Sequence, residues 1–197
     1  MIVLFGARAL GLAAVIILSS SALQAAEPAS RADAFRAADE AAGLAPAPEA
    51  VGPTCTMLPA IGEKLAGDME LAEEGHSIAI QNAAMRDALV KIRHADTGRL
   101  AASFFLPRQE AMTVEGVPDG IYRLQYAFGP ALAPDCRTLT RIIRASQMPE
   151  VDELKTHVID DDEHTEVKRS TVSYELSVTE TANVKPVTID AAAFNAE

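Results

Sequence analysis

VEGVPDGIYRLQYAFG, residues 114–129, is the stretch that decides the fold, because a Pro-Asp-Gly turn joins two runs of alternating apolar residues. Pro118 presets φ near about −65° at the first corner of a tight turn. Asp119 takes the second corner, and Gly120 can adopt the positive φ that follows. The pattern predicts a β-hairpin. One face of its second strand then carries Tyr122, Leu124, Tyr126 and Phe128, and the other carries Arg123 and Gln125.

Other segments on both sides of this turn show the same period of two. Each is short and bounded by turn-forming residues, as in residues 95–98, Ala-Asp-Thr-Gly. The sequence therefore predicts an all-β fold, an antiparallel β-sandwich of seven to eight strands with Greek-key connections. The further strands are expected at residues 77–82, 88–94, 99–106, 111–116, 138–145, 170–178 and 187–189.

Residues 1–26 have the pattern of a secretory signal peptide. Arg8 precedes an apolar run over residues 9–18, and small residues then lead to a cleavage site after Ala25 or Ala26. The run is shorter than the about 20 residues that cross a bilayer. We expect a periplasmic or secreted protein that keeps no integral membrane segment after cleavage.

Residues 27–54 form an Ala- and Pro-rich linker, and residues 55–197 are expected to form the β-sandwich domain. Residues 27–53 contain ten Ala and four Pro, which can bury little apolar surface. Ser30 and Asp33 resemble a capping box, and Gly43 would end a short helix over residues 31–42. The helix is expected to be transient, with docking on the domain or on a partner as the alternative.

Cys55 and Cys136 are the only two cysteines, and in an exported chain such a pair most simply forms one disulfide. Two unrelated buried thiols are the plain alternative. A metal pair has no support, because neither cysteine lies in a CxxC motif or near a histidine.

The charge balance limits the partners. The formal net charge is −11, and removing Arg8 with the signal makes it −12. Such a surface repels phosphate backbones, so nucleic acid is not an expected partner. The absence of Trp also weakens a carbohydrate-binding interpretation without excluding it.

Candidate chemistry is sparse, and no catalytic, cofactor-binding or metal site is assigned. The acidic segment 149–166 includes HVIDDDEHTE, which could hold a divalent cation, but it lacks the oxygen spacing of a calcium loop. His94 alternates with Val90 and Ile92, which favours a partly buried core position, and His76 is expected to be exposed. No nucleophile elbow, phosphate-binding loop or dinucleotide motif occurs.

ALVKIRHADTGRLAASFFLP followed by MTVEGVPDGIYRLQYAFG resembles the transthyretin-like, carboxypeptidase-regulatory-like sandwich module of exported bacterial proteins. The resemblance covers residues 77–128, and Ile80–Asn82 and Tyr174–Leu176 also resemble exported relatives of the module. It implies a β-sandwich. Such modules serve as spacers, appendages, carriers and enzyme decorations, so the resemblance implies no catalytic residue.

These observations favour a non-enzymatic exported protein that binds a protein or cell-envelope component through a sheet edge or a loop end. One alternative is a small-ligand or divalent-metal-binding periplasmic protein that uses the acidic segment 149–166. Another is an envelope enzyme of unrecognised type. The sequence predicts no cofactor and leaves the oligomeric state open.

Overall fold

The fold is known from a computed structural model that describes residue 37 and residues 52–161, 164–177 and 185–196. These residues form twelve strands and one short C-terminal helix. The strands are β1 (Lys64–Ala66), β2 (His76–Asn82), β3 (Asp87–His94), β4 (Leu100–Leu106), β5 (Ala111–Val117), β6 (Gly120–Gly129), β7 (Arg144–Gln147), β8 (Asp152–Leu154), β9 (His157–Asp160), β10 (Thr165–Lys168), β11 (Thr171–Leu176) and β12 (Val187–Ile189), and the helix is α1 (Ala191–Asn195).

Two sheets and one separate hairpin account for all of these strands. The large sheet has the order β1-β4-β3-β6-β7-β12. β8 and β7 pair with the same edge of β6, β8 with its first residues and β7 with later ones. The small sheet has the order β11-β2-β5. All pairs are antiparallel except β11 with β2, which is parallel. β9 pairs with β10 to form the hairpin.

Apolar residues from the inner faces of both sheets form the main core, which confirms the predicted all-β sandwich. The alternation in β6 buries Tyr122, Leu124, Tyr126 and Phe128 on this face, as the sequence predicts. The small sheet contributes every second residue of its strands to the same core. Its main contributions are Ile78, Ile80, Met112, Val114 and Leu176.

The outer face of the large sheet is also covered, which the sequence analysis did not foresee. A second apolar cluster lies there, formed by side chains of β3, β4, β6 and β7 together with Leu132 and Phe194. Phe194 is the one buried residue of α1. Lys91 donates a hydrogen bond from Nζ to the Phe194 carbonyl at 2.9 Å and also lies 4.7 Å from the centre of its ring. Helix α1 therefore closes this face of the sandwich.

The predicted disulfide is present. Cys55 and Cys136 are joined with an S–S distance of 2.01 Å. The Cys55 amide also donates to the Leu132 carbonyl at 3.0 Å. The bridge therefore holds the start of the domain against the loop that covers the second apolar cluster.

The hairpin predicted at residues 114–129 is wrong. β5 belongs to the small sheet and β6 to the large one, so the Pro118-Asp119-Gly120 turn carries the chain from one sheet to the other. The positive φ also falls elsewhere, at Gly116, where a β-bulge leaves no room for a Cβ next to the Ala72 carbonyl. Gly120 is needed for another reason, because a Cβ there would lie 2.8 Å from the Tyr122 hydroxyl.

The strand predicted at residues 138–145 is also wrong for most of its length. Only its last residues belong to β7, and Leu139 and Ile142 instead pack from an irregular loop onto the second cluster. The signal peptide, the linker helix over residues 31–42 apart from residue 37, and Val178 lie outside the described residues. Within the described residues no helix is both long enough and apolar enough to span a membrane.

Candidate functional site

The β9–β10 hairpin is the most unusual surface feature of the described chain, and it is called the arm here (residues 157–161 and 164–168). β9 and β10 pair only with each other, and all eight of their residues are exposed. The turn is held by two hydrogen bonds, from the Asp161 amide to the His164 carbonyl and from the His164 amide to Asp161 Oδ1. A two-stranded hairpin of this kind is only marginally stable in water without further contacts.

Three branched apolar side chains of the arm are exposed to solvent. Val158 is 61% exposed, Ile159 is 47% exposed and Val167 is 45% exposed. Val158 and Val167 are directly opposed across the hairpin, so they share one face, while Ile159 lies on the other. A cluster of exposed apolar residues on a protruding element is typical of an interaction surface.

The buried ring of His76 fastens both ends of the arm to the sandwich. Ser170, two residues after β10, donates its backbone N–H to His76 Nδ1 at 2.8 Å. His76 Nε2 lies 3.0 Å from Asp119 Oδ1, and because Nδ1 accepts a hydrogen bond, Nε2 carries the proton and donates it to Asp119. Asp119 in turn holds Thr156, the residue immediately before β9. One neutral imidazole thus joins both legs of the arm.

Asp119 is the acceptor at the centre of this network. The Thr156 hydroxyl donates to Oδ1 at 2.7 Å and the Thr156 amide donates to Oδ2 at 3.0 Å. These two bonds, followed by the bond from His76, lower the pKa of Asp119 from 3.8 to about 2. The sequence predicts only a structural turn at Pro118-Asp119-Gly120, and in the fold Asp119 of this turn also anchors the arm.

His76, Asp119 and Thr156 include the residue types of a catalytic triad, but their geometry does not match one. In a triad the hydroxyl donates to one ring nitrogen of histidine, and the carboxylate binds the other. Here the hydroxyl of Thr156 donates to the carboxylate, and Ser170 occupies the remaining ring nitrogen. No ring nitrogen of His76 is left to take a proton from a nucleophile.

The acidic segment 149–166 is folded as strands rather than as an open loop. It contains β8, β9 and the first residues of β10. In the described part of the segment, Asp160 accepts from the Thr165 hydroxyl at 2.6 Å, and Asp152 accepts from the Tyr174 hydroxyl. The described residues contain no group of three or more His, Cys, Asp or Glu placed to hold a metal ion.

The other predicted histidine lies as expected on the core side of its strand. His94 is half-buried, stacks against Tyr122 with ring centres 5.5 Å apart, and has Nε2 3.0 Å from Asp68 Oδ1. This bond to His94 lowers the pKa of Asp68, and Arg99 also pairs with the same carboxylate. The cluster fastens β3 to the segment before β2, a structural role.

Sequence reasoning placed His76 on the surface, and this is wrong, because its side chain is only 1% exposed. Gly75 beside it suggested an open strand end. A Cβ at Gly75 would instead collide with the backbone of Gly116, so this glycine marks close packing. The partners of His76 lie 43 and 94 residues away along the chain, and no local pattern indicates them.

A scan against protein-family models gives no match for this chain, and searches of the curated proteins and of the solved structures find no significant match. The resemblance of residues 77–128 to the transthyretin-like module therefore stays a prediction.

Proposed function

We propose that this chain is an exported, non-enzymatic binding protein that recognises an extended segment of a partner protein through its arm. The observation that carries the proposal is the exposure of Val158, Ile159 and Val167 on a hairpin whose strands pair only with each other among the described residues. Both outer edges of the hairpin offer backbone N–H and C=O groups to an added strand.

The charge of the arm specifies the chemistry of the partner. Residues 157–168 contain five Asp and Glu and one Lys. The whole chain is also strongly acidic. A partner segment with alternating apolar and basic residues complements both the valines and the carboxylates. Binding should therefore weaken as the salt concentration rises.

The disulfide supports location outside the cytosol, in the periplasm or the medium, since such bridges persist where the environment is oxidising. The anchoring of both legs of the arm supports a binding role over an accidental protrusion. Because the base of the arm is already ordered, less conformational entropy is lost when a partner binds.

The proposal is tested by photocrosslinking in cells that export the full-length protein. A photoreactive amino acid at position 158 should give one discrete crosslinked product with a different protein, and the double variant V158S/V167S should fail to capture that protein. The matched control site is Val187 on β12, which is 51% exposed and belongs to the large sheet rather than to the arm.

Crosslinks of equal intensity from positions 158 and 187, or none from position 158, would contradict the proposal. A product at twice the mass of this chain would show that a second copy occupies the arm, and the partner assigned here would be wrong. Light scattering of the purified protein provides the same distinction in solution.

A further inference from the structure

A cavity of about 210 Å³ lies on the outer face of the large sheet, beside the C-terminal end of α1. Its polar lining comes mainly from Arg93, Arg123, Gln125 and Gln147, and no Asp or Glu is among those of its lining residues that the structure describes. Cavities that bind drug-sized organic ligands are larger, from about 300 Å³ upward. This one has the size and the charge for a small anion.

Arg93 forms a fixed wall of the cavity. Its Nε donates to Gln125 Oε1 at 2.8 Å, and its Nη1 donates to the Gly98 carbonyl at 2.9 Å. Its Nη2 donates to the carbonyls of Phe194, at 3.1 Å, and Ala196. Burial lowers the pKa of Arg93. All of these acceptors are neutral oxygens, so none of them balances the positive charge of the guanidinium.

Arg123 is the direct cross-strand partner of Arg93 and brings a second positive charge to the same cavity. Its Nε is buried and has no hydrogen-bond partner in the described part of the chain. Like charges opposed across two strands are destabilising, and a buried donor without an acceptor adds to that cost. A bound anion would offset the repulsion between the two guanidinium groups.

Gln147 supplies a second donor with a defined direction. The Gln125 amide donates from Nε2 to Gln147 Oε1 at 2.8 Å, which fixes the oxygen of Gln147 and leaves its NH₂ group to donate elsewhere. Arg93 orients Gln125 in turn, so the chain of contacts sets the position of Gln147 before any ligand arrives.

We propose that this cavity is a binding site for a small oxyanion, phosphate or a short carboxylate, held by the guanidinium of Arg123 and the amide of Gln147. Guanidinium groups pair with such oxyanions in a bidentate manner that adds both strength and direction. The site is distinct from the arm and does not depend on the function proposed for it.

The oxyanion has two candidate sources. One is a free anion, and the other is the side-chain carboxylate of Glu197, which follows the cavity-lining Ala196 in the sequence. The experiment therefore compares wild type, R123Q and E197Q in the full chain. R137Q is the matched control, because Arg137 is exposed, lies outside the cavity lining and loses the same charge. The probes are inorganic phosphate, sulfate and acetate, each at constant ionic strength against chloride.

If the site binds a free anion, a probe should bind wild type with a 1:1 calorimetric signal and raise its Tm. R137Q should respond equally. R123Q should bind the probe about tenfold more weakly or not at all. Without a probe, R123Q should melt at the same temperature as wild type or higher, since it loses a like-charge contact. This shows that the variant folds.

If Glu197 is the source, wild type gives no response, E197Q gains binding of a probe, and R123Q/E197Q loses it again. That result also supports the site and identifies the anion as part of the chain. The proposal is overturned if neither wild type nor E197Q responds to any probe, or if R123Q and R137Q respond alike.

Discussion

A single imidazole joins three segments that are distant in the sequence. His76 lies at the start of β2, Asp119 lies in the turn between the two sheets, and Ser170 follows the arm. The protonation state of the ring matters, because Nδ1 must remain free of hydrogen to accept from Ser170. We therefore infer that the neutral form of His76 is the one that holds the arm.

The carboxylate of Asp119 gives this network a measurable pH dependence. Its pKa in the folded protein is about 2, below the ordinary 3.8, so the contribution of Asp119 to stability is complete above about pH 4 and is lost as the pH falls through 2. We expect the Tm of wild type to approach that of D119N between pH 4 and pH 2, and to exceed it at pH 7. E115Q, which removes an exposed carboxylate of β5 outside the network, is the control for loss of one negative charge.

Thermal unfolding followed by circular dichroism is sufficient for this comparison. A difference between wild type and D119N that stays constant from pH 7 to pH 2 would show that the charge of Asp119 does not stabilise the base of the arm.

At the scale of elements, the long strands were predictable, whereas the strand partners and the short strands β1, β8, β9 and β10 were not, so the twelve strands exceed the predicted seven to eight. Alternation locates β2, β5 and most of β11, each of which buries one face in the core. The sequence also locates β3, β4 and β6, although these are buried on both faces where the second apolar cluster lies. The Pro118-Asp119-Gly120 turn has the same chemistry in a hairpin and in a corner between sheets, so residue types alone could not distinguish the two. Leu139 and Ile142 lie in a segment rich in branched residues that favour strands, but they pack onto the second apolar cluster from a loop.

The short helix α1 gives the testable prediction at this scale. Phe194 is fully buried in the second apolar cluster, and its carbonyl accepts from both Lys91 and Arg93. F194A should therefore lower the free energy of unfolding by about 3–5 kcal/mol, the usual cost of removing a buried ring. The exposed Ala192 on the same helix provides the control A192S, expected to change stability by less than about 0.5 kcal/mol.

Urea denaturation measures both variants. A loss of less than about 1 kcal/mol for F194A, within the range of many surface changes, would indicate that α1 adds little to the covering of the sheet.

At the scale of the whole molecule, the disulfide closes a large loop around most of the large sheet. Cys55 and Cys136 are separated by 81 residues. On the chain-entropy model a loop of this size stabilises the fold by about 4 kcal/mol, mainly by restricting the unfolded chain. C55S/C136S should unfold at a lower urea concentration and with a larger m value, because its unfolded state is more expanded. An unchanged midpoint would contradict this.

The cysteine pairing was predictable from the count of two. The sandwich was predictable from periodicity. The candidate sites were not, because the arm, the His76 network and the arginine cavity each depend on residues that only the tertiary fold brings together. Arg93 and Arg123 gave no signal in the sequence, since charged residues at alternate positions normally face water, whereas here Arg93 is buried and donates to carbonyls at the end of α1.

The parallel pairing of β11 with β2 has a consequence for the order in which the chain can fold. Ser77 pairs with Thr171, so the small sheet stays incomplete until residue 171 and the rest of β11 have been synthesised. Contacts this distant in sequence raise the contact order and slow the folding reaction. A chain that depends on this pairing therefore stays incompletely folded for longer than one whose sheets form between neighbouring strands.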